Sequence, residues 1–281
     1  MEDWRQYYAT QSMITDPAKY GPFFNALPSD IPALCRSVQG LILHGHWAER
    51  YGVKLSEERR QEANLRKVSR QLGRIMELND SPLTTTRPLE SRIVGNCRDF
   101  SVFLTAVLRH KGVPARARCG FGTYFIPHHY EDHWVCQYWE ANEERWVMVD
   151  AQLDEFQRNW LNIGFDTFDM PEGHFLPAGR AWQLSRSGQA DPESFGILDC
   201  HGMWFIGGNV VRDLLSLNKI ELLPWDMWGL MPGEKVQDIP VEQAGLLDRI
   251  ASVTLAGNEA FTEILSIGDK AKLSPLPGWK P

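Results

Sequence analysis

The run Gly95-Asn96-Cys97-Arg98-Asp99-Phe100-Ser101-Val102-Phe103-Leu104-Thr105-Ala106-Val107-Leu108 decides how the rest of the chain is read. Phe100, Phe103, Leu104, Val107 and Leu108 recur at the i, i+3, i+4, i+7, i+8 spacing of one helical face. Val102 and Ala106 fill the remaining sides, so this helix is apolar nearly all round and is expected to be buried. Asn96 has the side chain of an N-cap, and Asp99 can reach back to it as in a capping box. Gly112 closes the helix and Pro114 prevents its continuation.

Three strand-like runs follow: Ala115 to Phe125, His133 to Trp139, and Trp146 to Gln152. The polar turn Ala141-Asn142-Glu143-Glu144 joins the last two as a hairpin. One buried helix followed by an antiparallel meander predicts an α+β fold. Upstream, Ser29-Asp30 opens a helix that tolerates Pro32 in its first turn, with Leu34, Val38, Leu41 and Ile42 as its stripe. A second helix is predicted from Ser56, which can cap it. Glu57 and Glu58 suit its positive end, and Leu65, Val68, Leu72, Ile75 and Met76 form its apolar face. Asn79-Asp80-Ser81-Pro82 ends it. The basic residues Arg59, Arg60, Arg66, Lys67, Arg70 and Arg74 read as a solvated face, balanced by Glu57, Glu58 and Glu62. The first thirty residues read as an irregular arm.

We therefore divide the chain into residues 1–90, an arm and helices that belong to the core domain, 91–154, the core that carries the chemistry, and 155–281, an extension. That extension is rich in Gly, Pro and Trp, with helix expected at Val210 to Leu217 and from Val241 to Ile250. Its last run, from Ser274 to Pro281, reads as an extended tail. The chain has 281 residues, 43% of them hydrophobic and 23% charged, which is ample for a sizeable core. A net charge of -7 without any polybasic stretch argues against nucleic-acid binding driven by phosphate neutralisation. The N-terminal residues do not look like a signal peptide and no run suggests a membrane span, so a cytoplasmic location is expected, with no membrane partner. Five cysteines without a C-x-x-C pair do not describe a disulfide scaffold. Eleven tryptophans stand out, several of them in the extension.

Cys97 falls at the first position of the buried helix, where unpaired N–H groups and the macrodipole favour a thiolate. A thiolate nucleophile needs a base within reach and a third group to orient that base. His133 opens one strand of the hairpin, and Asp150 closes the other, an apolar strand in which an unpaired carboxylate would be expensive. Counted from the turn, the two are expected as neighbours or diagonal neighbours.

The runs from Gly95 to Ser101, from Leu108 through Gly112-Val113-Pro114-Ala115 to Arg116, Asp132-His133-Trp134-Val135, and Trp146-Val147-Met148-Val149-Asp150 together resemble the transglutaminase-like core domain. The resemblance covers residues 95 to 154. It implies a papain-like (thiol-protease) core, in which Cys97 is the nucleophile, His133 the general base and acid, and Asp150 the orienting carboxylate. Two positions depart from the family pattern: Trp134 follows His133 directly, and Ala151-Gln152 stands where Pro-Thr is common. The implied activity is cysteine-dependent acyl transfer from an amide, peptide or ester carbonyl of a peptide, protein or small molecule, with hydrolysis favoured slightly over transfer to an amine. The alternatives are a non-catalytic binding domain, an amine-using transglutaminase or N-acyltransferase, and an arylamine-acetyltransferase-like enzyme, which the flanking residues fit less well.

No cofactor is implied. His128, His129, His133, Cys119 and Cys136 match no structural zinc spacing, and strand alternation puts His133 and Cys136 on opposite faces. Cys35, Cys119, Cys136 and Cys200 read as small buried residues, and His128 and His129 as loop residues at the rim of the site. The Cys97 N–H supplies one oxyanion donor, with Gln39, His44 and Trp47 as candidates for the second. The aromatic stretches Gly202 to Ile206 and Leu223 to Trp228 read as a satellite core or as a substrate wall or lid.

Overall fold

A computed structural model describes residues 3–236 and 238–270 of the chain. The tail expected from Ser274 to Pro281 lies outside the described residues. The chain divides into two compact units, neither continuous in sequence. The first holds residues 5–117 and 135–170; the second, among the described residues, holds 3–4, 118–134 and 171–270.

The first unit begins with short helical pieces, α1 (Trp4–Ala9), of which only Trp4 falls in the other unit, and α2 (Gly21–Phe24), in place of the irregular arm expected there. Tyr8 and Phe24 anchor them and are fully buried. Helix α3 (Ile31–Gln39) starts where expected, with the Asp30 side chain accepting from Ala33 N. It stops at Gly40, and Ile42 belongs instead to strand β1 (Ile42–His44). The helix predicted from Ser56 to Met76 is broken. Ser56 caps α4 (Glu57–Arg60), a 3₁₀ turn follows, and α5 (Val68–Leu78) starts afresh. Glu62 explains the break. Its buried carboxylate accepts from Arg74 Nε at 2.8 Å and from Val94 N at 2.9 Å, while Arg59 Nε lies 2.9 Å away. The chain turns to place this acid under a backbone N–H that would otherwise lack a partner. Arg59 and Arg74 are therefore structural rather than part of a solvated face.

Strand β2 (Ile93–Gly95) pairs parallel with β1, His44 opposite Gly95, and leads into α6 (Cys97–His110). Every residue of α6 except His110 is buried, as its all-round apolarity requires. Strands β3 (Ala115–Gly122), β4 (Tyr130–Glu140) and β5 (Arg145–Val149) follow, β4 and β5 antiparallel with Cys136 opposite Val149 and Glu140 opposite Arg145. β3 and β4 contribute residues to both units. The first unit ends with α7 (Glu155–Trp160).

In the second unit β6 (Phe175–Pro177) pairs antiparallel with β3, and helix α8 (Ala178–Arg186) follows it. β7 (Phe195–Ile197) runs parallel to β4, and β8 (Cys200–His201) antiparallel to β7. Three helices complete it: α9 (Met203–Leu217), α10 (Val241–Ala256) and α11 (Phe261–Lys270). The extension thus holds more helix than the two segments expected. Glycines hide it, since Gly207 and Gly208 stand inside α9. A Cβ at Gly207 would lie 2.9 Å from Pro232 Cγ, so the residue admits a neighbour rather than ending a helix.

Candidate active site

The thiol is positioned by its own helix start. Asn96 has extended backbone, its Oδ1 accepts from Arg98 N at 3.0 Å, and its N–H donates to Asp99 Oδ2 at 2.9 Å, so the expected capping box is formed. Asp99 Oδ1 accepts from Gln71 Nε2 at 2.8 Å and from Arg98 Nη1 at 2.9 Å. Burial still pushes the Asp99 carboxyl up, with Arg98 offsetting part of the effect. A Cβ at Gly95 would stand 2.8 Å from Asp99 Oδ2, which is why glycine precedes the cap. Cys97 is then the first helical residue and is 7% exposed.

Asp150 follows the last residue of β5 and is fully buried. Its N–H donates to Thr167 O at 2.9 Å, and its Oδ1 accepts from Gln152 N at 3.0 Å, closing the turn that ends the strand. Cys97 and Asp150 belong to the first unit, His133 to the second. His133 lies on β4 and is 2% exposed. Its ring meets Tyr124 and Phe125 edge-on, with centroids 5.9 and 4.9 Å away. The adjacent carboxylates Glu131 and Asp132 are held up by burial, and an imidazolium at His133 would draw both down.

Residues 54–151 match the family model of the transglutaminase-like superfamily. Over this span the chain is similar to a transglutaminase-like core. The matched span takes in Cys97, His133 and Asp150, and its α+β make-up agrees with the fold expected from sequence. No curated protein and no solved structure matches the chain.

Each unit holds a polar network that the sequence did not reveal. In the first unit, Gln152 Nε2 donates to Gln157 Oε1 at 2.9 Å, Gln157 Nε2 to Tyr51 Oη at 3.1 Å, and Tyr51 Oη to Asp154 Oδ2 at 2.7 Å. Burial and the Asp154 carboxylate push the Tyr51 hydroxyl well up, so it remains a donor. Gln152 is one of the two residues that depart from the family pattern after Asp150, and here it is a link between the strand end and α7. In the second unit, Asn209 Nδ2 donates to Asp132 Oδ1 at 2.7 Å, and Arg212 Nη1 donates to Asn209 Oδ1 at 3.0 Å. The available signal was Asn209 and Arg212, two polar residues one turn apart in an apolar helix.

The candidates for a second oxyanion donor all lie in the first unit. Gln39 Nε2 donates to Ala151 O at 3.1 Å. His44 Nδ1 accepts from His46 N at 3.2 Å, and its ring stacks on Phe100 at 6.4 Å. With Nδ1 as acceptor, the neutral ring carries its proton on Nε2. Trp47 is buried with the Arg50 guanidinium 4.8 Å from its ring.

Three other thiols are poor nucleophiles. Burial pushes Cys35 well above the usual thiol range, with the charges of Cys136 and Asp150 adding to it, and takes Cys136 up to about 12. Cys200 is raised by burial and by Asp199, but it is half-exposed in β8 rather than buried as expected. His128 has a left-handed backbone (φ 60°), and His129 Nε2 is 3.2 Å from Gly196 O. Among the described residues no three metal-ligating side chains converge.

Proposed function

We propose that the transglutaminase-like core catalyses cysteine-dependent acyl transfer, with Cys97 as nucleophile, His133 as general base and acid, and Asp150 as the carboxylate that orients the imidazole. The observation that carries this reading is Cys97 at the first position of a capped, buried helix within the matched span. The helix N-terminus lowers the cost of a thiolate there.

The Cys97 thiolate attacks the carbonyl carbon of an amide, peptide or ester, forming the C–S bond and moving the carbonyl π electrons onto oxygen. The Cys97 N–H stabilises that oxyanion. When the oxyanion collapses, the C–N or C–O bond breaks, and the leaving group takes a proton from the His133 imidazolium. The neutral imidazole then removes a proton from water, which attacks the thioester carbonyl. Collapse of the second intermediate breaks the C–S bond, releasing the acid and regenerating the thiolate and imidazolium. An amine acceptor would enter in place of water; we favour water, which needs no acceptor pocket.

Iodoacetamide near pH 6 tests the nucleophile. Cys97 is expected to be labelled ahead of Cys35, Cys119, Cys136 and Cys200; uniformly slow labelling would sink the enzymatic reading and leave a binding domain. With an activated ester, mass spectrometry should show an acyl adduct in the wild type and none in Cys97→Ala. Decay of that adduct in water against a panel of amines separates hydrolysis from transfer.

A further inference from the structure

We infer that the first unit carries a binding groove for a small oxyanion, a carboxylate or phosphate ester, attached to a flat apolar body. The groove has a volume of about 550 Å³, within the roughly 300–1,000 Å³ range of small-molecule sites. Three arginines line it from three separate elements: Arg36 from α3, Arg92 from the residue before β2, and Arg158 from α7. Among the described residues no carboxylate forms an ion pair with any of the three.

Arg92 is oriented before any ligand arrives. Its Nε donates to Arg87 O at 2.9 Å and its Nη1 to Gln39 O at 3.0 Å, which fixes the plane of the guanidinium and leaves Nη2 outside both bonds. The two carboxylates on the groove do not neutralise the cluster. Asp154, engaged by Tyr51 Oη at 2.7 Å and Gln157 N at 2.9 Å, and exposed Glu155 are two acids against three cations, which leaves the groove net positive.

The remaining walls choose the rest of the ligand. Phe156 and Phe168 line the groove, and the Arg158 guanidinium lies 5.7 Å from the Phe168 centroid. Guanidinium forks match planar oxyanions bidentately, and rings beside them accommodate an aromatic or other flat group. The Asn159 amide and Thr86 add polar groups at the edge. This groove does not depend on the chemistry of Cys97 and stands or falls separately.

Titration calorimetry with phenyl phosphate, benzoate, inorganic phosphate and benzylamine tests it. Phenyl phosphate or benzoate, or both, should bind saturably at one site, and which of them binds identifies the oxyanion. Arg36→Gln with Arg158→Gln should weaken that binding by about tenfold or more, the loss of at least one charge-assisted contact. Phe168→Ala should weaken phenyl phosphate but leave inorganic phosphate unchanged. Both substituted side chains of the double variant line the surface, and thermal melting checks that its fold is kept. The proposal is overturned if neither anion binds saturably, if a correctly folded double variant binds as the wild type does, or if benzylamine binds as well as benzoate.

Discussion

At the scale of single residues, Asp132 shows how a buried charge writes itself into stability. Burial raises its carboxyl above the ordinary range, and Arg212 and the hydrogen bond from Asn209 offset only part of that rise. The folded chain therefore holds this proton more tightly than the unfolded chain does. What Asp132 contributes is greatest below its unfolded pKa, about 3.9, and is lost as the pH rises through the higher folded value. Asp132→Asn keeps an acceptor for Asn209 Nδ2 and removes the titration. The unfolding free energy of the variant minus that of the wild type should thus grow between pH 4 and pH 7 in urea titrations. A difference that stays constant over that range would mean that Asp132 does not titrate in it. At Asn96 the quantity at issue is a cap rather than a charge. Asn96→Ala removes the acceptor for Arg98 N and should cost about 1 kcal/mol, while Asn96→Ser should retain most of it, as measured by the shift in urea midpoint.

At the scale of elements, what the sequence made legible depended on how local the deciding interaction was. Helix α6 could be read because its cap, its capping box and its apolar periodicity all lie within fourteen residues of one another. The same periodicity misled between Ser56 and Met76, because the group that breaks that helix, Glu62, answers to the backbone of Val94 in a different element. Cys97, His133 and Asp150 were named from patterns in three short runs. The Asn209–Asp132 bond and the Gln152–Gln157–Tyr51 chain join residues far apart in sequence and left no such trace. Helix α8 was hidden for another reason. Gly179 reads as a breaker, yet a Cβ there would lie 2.8 Å from Ala251 O on α10. The two effects of Gly179→Ala oppose each other: helix propensity favours alanine by up to about 1 kcal/mol, and overpacking costs about 1–3 kcal/mol. Because the contact is with backbone, which cannot swing aside, strain should win. A lower melting temperature is expected; a higher one would show that α8 and α10 can separate without loss.

At the scale of the whole molecule, the matched span and the compact units do not coincide. The family match ends at residue 151, but residues 118–134 belong to the unit completed by residues 171–270. Within that unit, buried Arg118 donates Nε to Asp213 Oδ1 at 2.8 Å and Nη2 to Asp213 Oδ2 at 2.7 Å, and Cys119 N donates to the same Oδ1 at 3.0 Å. Asp132 depends on Asn209, and β3 on its pairing with β6. A chain stopped after Met170 would keep Arg118 and Asp132 and lose every one of these partners. Breaking a single buried ion pair costs about 3–5 kcal/mol, a large share of the 5–15 kcal/mol that holds an ordinary domain together. Residues 1–170 alone should therefore show no cooperative unfolding, judged by tryptophan fluorescence in urea and by near-ultraviolet circular dichroism. Should the truncated chain instead unfold cooperatively from a state with native-like dichroism, strands β3 and β4 would need no support from residues 171–270, and residues 1–170 would be a domain in their own right.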